Sequence, residues 1–316
     1  MNAMTTSSIT GISANPSASG GSMELICRCD SMAALRAAVD HGADCVHLDY
    51  RHDGADIGGQ SFKSRDIAKA VRYAHDRRRS VLLELPAKAT AAEWSAECAL
   101  IDRAADAGVD AILLYDHALM LYGAGRHPGL QLHYALPESA VSAESLHFLH
   151  RRLGISRVVL PRVLSLPLLE RLAQESRVEL TVCGQGRFLT SSDNRIGNPP
   201  AIRNACAAHL RTSDNAAPVR IAMEACAGSE QAANDRCFTT GRPSDSNTLK
   251  LLPRLVALGV RAVWTEAPEH APTRLAQVAR VWREAIDNCL ENLDHYAVKP
   301  SWMIDLGKAR RTLPRR

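Results

Sequence analysis

The sequence predicts an α/β fold, a TIM-like (β/α) barrel, on three observations. Short β-rich runs alternate with helix-period segments from Met23 onward. The runs are continuously apolar rather than alternating, which is the pattern of a parallel sheet covered on both faces. Eight strand–helix units can be counted along the chain, the number that closes a barrel. A doubly wound open sheet is the alternative, but that fold usually keeps phosphate-binding glycines after its first strand. Here the first turn reads CRCDSM, without a glycine.

The elements follow in order. A strand over 23–27 (MELIC) leads to a helix over 31–41 that Ser31 is suited to cap. Strand 45–48 precedes helix 63–78; strand 81–85 precedes helix 91–108, which ends in a glycine suited to C-capping. Strands 111–115, 130–135 and 158–160 alternate with helices 117–123, 142–153 and 165–176. Strand 178–182 then opens into an irregular, cysteine-containing excursion, 183–246, with one possible strand at 219–223. The rhythm resumes with helix 247–258, strand 261–265 and helix 271–290. The expected organisation is a leader or alternative start over 1–22 and a single barrel-like domain over 23–316.

The composition is that of a folded globular protein: 46% hydrophobic and 23% charged residues in a chain of 316. A formal charge of +4 does not announce a nucleic-acid partner, and basic clusters such as 77–79 read as solvated helix ends. The first 22 residues lack the basic start and apolar core of a secretion signal, and no run of eighteen apolar residues could span a membrane. A cytoplasmic location is therefore expected. Nine cysteines cannot all pair with one another; in a reducing compartment they read as buried apolar residues, metal ligands or nucleophiles.

In a barrel the working residues stand where strands end. The places to inspect are 28–30, 49–59, 86–88, Asp116, 136–138, 161–163, 183–187 and Glu266. Asp49, Asp53, Asp56 and Asp116 could each serve as a base or ligand there, or simply cap a loop. His133 lies inside a strand and reads as a core imidazole. Gly184 and Gly186 follow a strand but lead into LTSSDN rather than a helix, so a phosphate cradle fails its context. Peptide hydrolysis finds no support from HExxH or G-x-S-x-G spacing. Cys183, Cys206, Cys226 and Cys237 all fall where the rhythm breaks, as iron–sulfur ligands can, yet no CxxC pair is present. A set of loop thiols is the plainer reading.

The segments MELICRCDSMAALRAAVDHGADCVHLDY, RRLGISRVVLPRVLS, SNTLKLLPRLVALGV and AQVARVWREAID resemble, in that order, the collagenase-like peptidase family U32, and within it the UbiU-like ubiquinone-biosynthesis branch. The resemblance implies a barrel-like fold, a 4Fe-4S cluster on four cysteines, and oxygen-independent ring hydroxylation of ubiquinone precursors with a UbiV-like partner. Sister branches hydroxylate RNA bases, and some members are called proteases. Cys206 and Cys237 fall where the third and fourth cluster ligands are expected, whereas Arg187 and Asn194 occupy the first two positions. Arginine offers only donors and cannot replace thiolate, so a cluster would need Cys183 and Cys226 as substitutes. The family's Glu-Gly-Arg survives only as Glu266. Asp116, Arg162 and Glu266 remain at strand ends as the expected catalytic set, with Arg162 a fork for a small aromatic or anionic substrate. The alternative is a paralogue without cofactor, acting as a binding or scaffolding subunit.

Overall fold

The computed structural model describes residues 22–50, 62–85, 92–136, 142–161, 163–164, 166–185, 238–239, 248–267 and 271–307. In chain order the strands are β1 (Glu24–Cys29), β2 (Cys45–Asp49), β3 (Ser80–Glu84), β4 (Ala111–Leu114), β5 (Gln131–Ala135), β6 (Arg157–Val159), β7 (Val163–Leu164), β8 (Glu179–Gln185), β9 (Phe238–Thr239) and β10 (Ala262–Thr265). The helices are α1 (Met32–Asp40), α2 (Ile67–His75), α3 (Trp94–Asp106), α4 (His117–Arg126), α5 (Ala143–Leu153), α6 (Leu166–Glu175), α7 (Leu252–Ala257), α8 (Pro272–Glu291) and α9 (Pro300–Gly307). Eight strands close a parallel barrel in the order β1-β10-β8-β6-β5-β4-β3-β2, and β7 pairs with β9 in a separate antiparallel ribbon.

The barrel closes because nearly every strand residue is buried. Outward positions such as Leu25, Val46, Leu83, Ile112, Leu132, Val158, Val182 and Val263 join the helix residues Leu35, Ile101, Leu146, Leu172 and Trp282 in one continuous core. Inward positions form a second, smaller cluster: Ile26, Cys45, Leu82, Ala111, Leu113, Ala135 and Ala262, with Val159 and Trp264 packed on it. Each fully buried Leu or Ile side chain is worth about 1.5–3 kcal/mol relative to exposure.

Local chemistry sets the helix ends. Ser31 accepts from the Ala34 N–H and Ser142 from the Ser145 N–H, and α3 stops at Gly108 with φ +80°. At the N-terminal end of the barrel, Arg157 donates to Glu24 at 2.5 Å and to Glu179 at 2.6 Å, tying the starts of β6, β1 and β8 together.

The eight-unit barrel is as expected, and the differences have physical causes. β1 continues through Cys29, so Arg28 and Cys29 belong to the barrel wall rather than to a turn. β8 runs past the expected end at 182 to Gln185, because position 184 has no side chain. A Cβ there would stand 2.2 Å from Val263 Cγ1 and 2.9 Å from the Trp282 ring. Trp282 lies against that bare backbone and donates its indole N–H to Gln185 Oε1 at 3.0 Å. α4 continues past the expected stop at 123 to Arg126, and α9 lies beyond any helix the periodicity suggested. The possible strand at 219–223 lies outside the described residues.

Candidate functional site

Alternation along a strand decides which side chains enter the barrel. The last inward positions of β1, β2 and β3 carry Arg28, Asp49 and Glu84, and Glu266 follows directly after β10. These four meet at the C-terminal mouth. Arg28 lies 2.9 Å from Asp49, 3.2 Å from Glu266 and 3.9 Å from Glu84. One guanidinium thus bridges the ends of four adjacent strands. Burial alone would favour a neutral Arg28, but the charges of Glu84, Asp49 and Glu266 outweigh it and raise its pKa, so it stays cationic.

Around Glu84 the contacts are directional. Tyr115, just past β4, donates its hydroxyl to Oε1 at 2.6 Å. His47, inward on β2, places Nε2 2.8 Å from Oε2, off the ideal N–H line but close enough to hold the pair electrostatically. Trp264 donates its indole N–H to His47 Nδ1 at 2.8 Å. Burial by itself would raise the Glu84 pKa; the adjacent His47 ring, the charge of Arg28 and the Tyr115 hydroxyl outweigh it and hold the carboxyl at about 2. Beside this group Arg28, Asp30, Ala34, Asp49, Glu266 and Leu275 line a cavity of about 20 Å3, room for about one water molecule.

The expected site residues fall into four groups. Glu266 is brought to the mouth and held by Arg28. Asp116 is engaged elsewhere, as the N-cap of α4, where Oδ1 accepts from the Ala118 and Leu119 N–H groups at 2.7 and 3.2 Å. Arg162, Cys206, Cys226 and Cys237 lie outside the described residues, as do Asp53 and Asp56. Cys183 is buried in β8 and in register with Trp264, so any ligation by Cys183 would take place within the barrel mouth. Among the described residues no cluster of three or more His, Cys, Asp or Glu side chains is placed to hold a metal ion. The cluster implied by the resemblance therefore rests on residues of the excursion.

His133 is buried as expected, and neither ring nitrogen has a hydrogen-bond partner among the described residues. Burial, with the charges of Arg157 and His47, pushes its pKa down to about 3. The thiols tell the same story. Burial lifts Cys27 to about 12, and Cys29 and Cys45 well above the ordinary thiol range, so none of the three is a thiolate at neutral pH.

His47, Glu84, Tyr115 and Trp264 were not among the expected site residues. A signal was present: VLLELP, CVHLDY and RAVWTE each place a polar or amphipathic side chain inside an otherwise apolar strand. Only the inward alternation shows that those side chains converge. The arrangement can hold a fixed anion, accept hydrogen bonds and present an aromatic face; it contains no activated nucleophile among the described residues.

The chain is 25% identical over 299 residues to the tRNA hydroxylation protein P2 of Bacillus subtilis (strain 168), covering 89% of this chain and 91% of that protein. It is 21% identical over 299 residues to the tRNA hydroxylation protein P1 of the same organism, covering 90% and 68% respectively. A solved U32 peptidase, Mk0906, aligns with 81% of this chain and 98% of its own at 17% identity and a TM-score of 0.46. No helix among the described residues is long and apolar enough to cross a membrane. The family model for peptidase family U32 matches residues 30–313, nearly the whole length, and the chain belongs to that family.

Proposed function

We propose that the chain is a component of a ring-hydroxylating system of the U32 family, acting on a ubiquinone precursor with a UbiV-like partner. The observation that carries the substrate class is the charge of the mouth: among the described residues, Arg28 is paired with the carboxyl groups of Asp49, Glu84 and Glu266, and Asp30 lines the same cavity. Such a surplus of acid repels a phosphate backbone and accepts a neutral phenol. The relatives named for tRNA hydroxylation support the reaction class, and their similarity favours a second reading in which the ring is a tRNA base. A peptidase role is less supported, since the buried thiols are held protonated.

If a cluster is bound, Cys206 and Cys237, joined by Cys183 and Cys226, would hold it, and it would supply the redox chemistry. The residues of the mouth would bind and orient the ring.

A deletion strain grown without oxygen separates the readings. Loss of ubiquinone, with accumulation of an under-hydroxylated precursor, supports the first. Loss of hydroxylated tRNA bases with normal quinone moves the function to tRNA; loss of neither sinks both. Iron and acid-labile sulfide are assayed on anaerobically purified protein, wild type beside a Cys206→Ser/Cys237→Ser double variant. About four irons per wild-type chain and none in the variant supports the cluster; iron-free protein after reconstitution favours the scaffolding role.

A further inference from the structure

We propose that the outer face of α2 is a docking surface for an anionic lipid bilayer, bringing the barrel mouth to the membrane that holds the ring substrate. The inference rests on the ubiquinone-precursor reading above and deepens it, since such a precursor carries a polyprenyl tail and stays in the bilayer.

Residues 63–79 hold seven basic residues against two acidic ones, Asp66 and Asp76, a larger surplus than the +4 of the whole chain. α2 buries Ile67, Ala70, Val71 and Ala74, which turns Lys69 and Arg72 to the opposite face. Arg79 is tied to Asp44 at 2.8 Å and Arg77 to Asp40 at 3.4 Å. Lys63, Arg65, Lys69, Arg72 and Arg78 are exposed and, among the described residues, make no ion pair. Arg65 and Lys69 stand four apart and Lys69 and Arg72 three apart, a spacing at which like charges repel. Asp76 falls in the same row and reduces this charge without cancelling it. The row starts at the mouth: the Phe62 N–H donates to the carbonyl of Asp49 at 2.9 Å, and Lys63 follows directly.

The helix end carries a second sign. Among the described residues Arg78 is the single non-glycine with a positive φ, +57°. Glycine is the residue that closes a helix there without strain. An arginine held in that conformation serves the fold less well than glycine would, and its exposed guanidinium adds to the row.

The occupant follows from what the face lacks. None of the exposed large hydrophobic residues lies on α1 or α2, so nothing on them inserts between acyl chains. The nearby aromatic, Tyr73, is engaged by Arg77 at 3.7 Å and Arg36 at 5.5 Å, with its hydroxyl donating to Asp40, and is not free to stack a nucleic-acid base. What remains is a row of cations on a convex face, which a planar layer of phosphate headgroups can touch along its length.

The test is co-sedimentation of the full chain with vesicles of phosphatidylcholine alone or of about equal parts phosphatidylcholine and phosphatidylglycerol. Wild type should bind the anionic vesicles only, and lose them at ~0.5 M salt. Lys69→Gln/Arg72→Gln should weaken binding by about 25-fold, about fivefold per charge. Arg78→Gly should weaken it about fivefold while raising Tm by about 2 °C, a pairing that a purely structural residue would not give. Arg151→Gln/Arg152→Gln, an equal loss of charge on α5, should change it less than about twofold. Residues 308–316 carry five further basic residues, so the variants rather than wild type alone assign the surface. No binding, equal binding to neutral vesicles, or unchanged binding in Lys69→Gln/Arg72→Gln overturns the proposal. An unmodified tRNA transcript held about tenfold more tightly than the vesicles, and released by the same variants, overturns it in favour of RNA. Ubiquinone made normally by the deletion strain overturns the precursor reading, while the vesicle result stands or falls by itself.

Discussion

Trp264 on β10 donates its indole N–H to Nδ1 of His47 on β2 at 2.8 Å, across 217 positions of sequence. β1 lies between these two strands in the barrel, so the bond crosses the interior over a strand that belongs to neither partner. It orients the imidazole toward Glu84 and joins the aliphatic interior to the charged mouth.

That bond should be measurable as a coupling. Trp264→Phe and His47→Phe are each expected to lower stability by about 1–3 kcal/mol, by leaving a buried polar group without its partner. A double-mutant cycle by urea denaturation should give an interaction energy of about 0.5–2 kcal/mol. Strict additivity would mean that the bond contributes nothing to the fold.

Gly184→Ala is expected to be among the most damaging single-methyl changes in the chain. Its Cβ would meet Val263 Cγ1 at 2.2 Å and the Trp282 ring at 2.9 Å, both buried. Overpacking of this kind costs about 1–3 kcal/mol. Gly108→Ala makes the comparison, because its φ is +80° but its Cβ would meet only Val71 Cγ1, at 3.8 Å. That change should cost about 1 kcal/mol from backbone strain alone. Thermal melts that rank the two the other way would contradict the packing argument.

Acid stability should fall in two overlapping windows. His133 titrates near 6.5 when exposed and at about 3 in the fold, so between those values the unfolded chain binds the proton first and stability falls as pH falls. From pH 7 to pH 5 this site is expected to remove up to about 2 kcal/mol. His133→Leu should flatten that part of the urea-midpoint profile. Glu84 drops from an ordinary 4.5 to about 2, so its contribution is present above about 4.5 and lost as pH falls toward 2. Glu84→Gln should therefore alter the profile only below about pH 4.5. A wild-type profile flat from pH 7 to 5 would show that His133 is not held neutral.

Thiol chemistry offers a direct check on the interior. Iodoacetamide at neutral pH should leave Cys27, Cys29 and Cys45 unlabelled in the native protein and label all three after denaturation, read by peptide mass mapping. Burial raises each of these thiols, and the thiolate is the reacting species. Rapid native labelling at any of them would reopen a nucleophilic role.

The sequence by itself determined the strand–helix alternation, the parallel sheet and the barrel, because continuous apolar runs such as VLLEL and ELTV leave no face for water. It also marked Glu266 and the 28–30 stretch as strand-end residues, since those follow from where a run stops. The mouth itself was decided by tertiary structure. Arg28 reads as part of a turn until β1 is seen to carry it inward, and the sequence does not show that Asp116 Oδ1 caps α4. His47, Glu84 and Trp264 are single polar or aromatic letters in three separate strands. Period-2 alternation says that each faces one side; only barrel closure, which sets β10 beside β1 and β1 beside β2, says that they face one another.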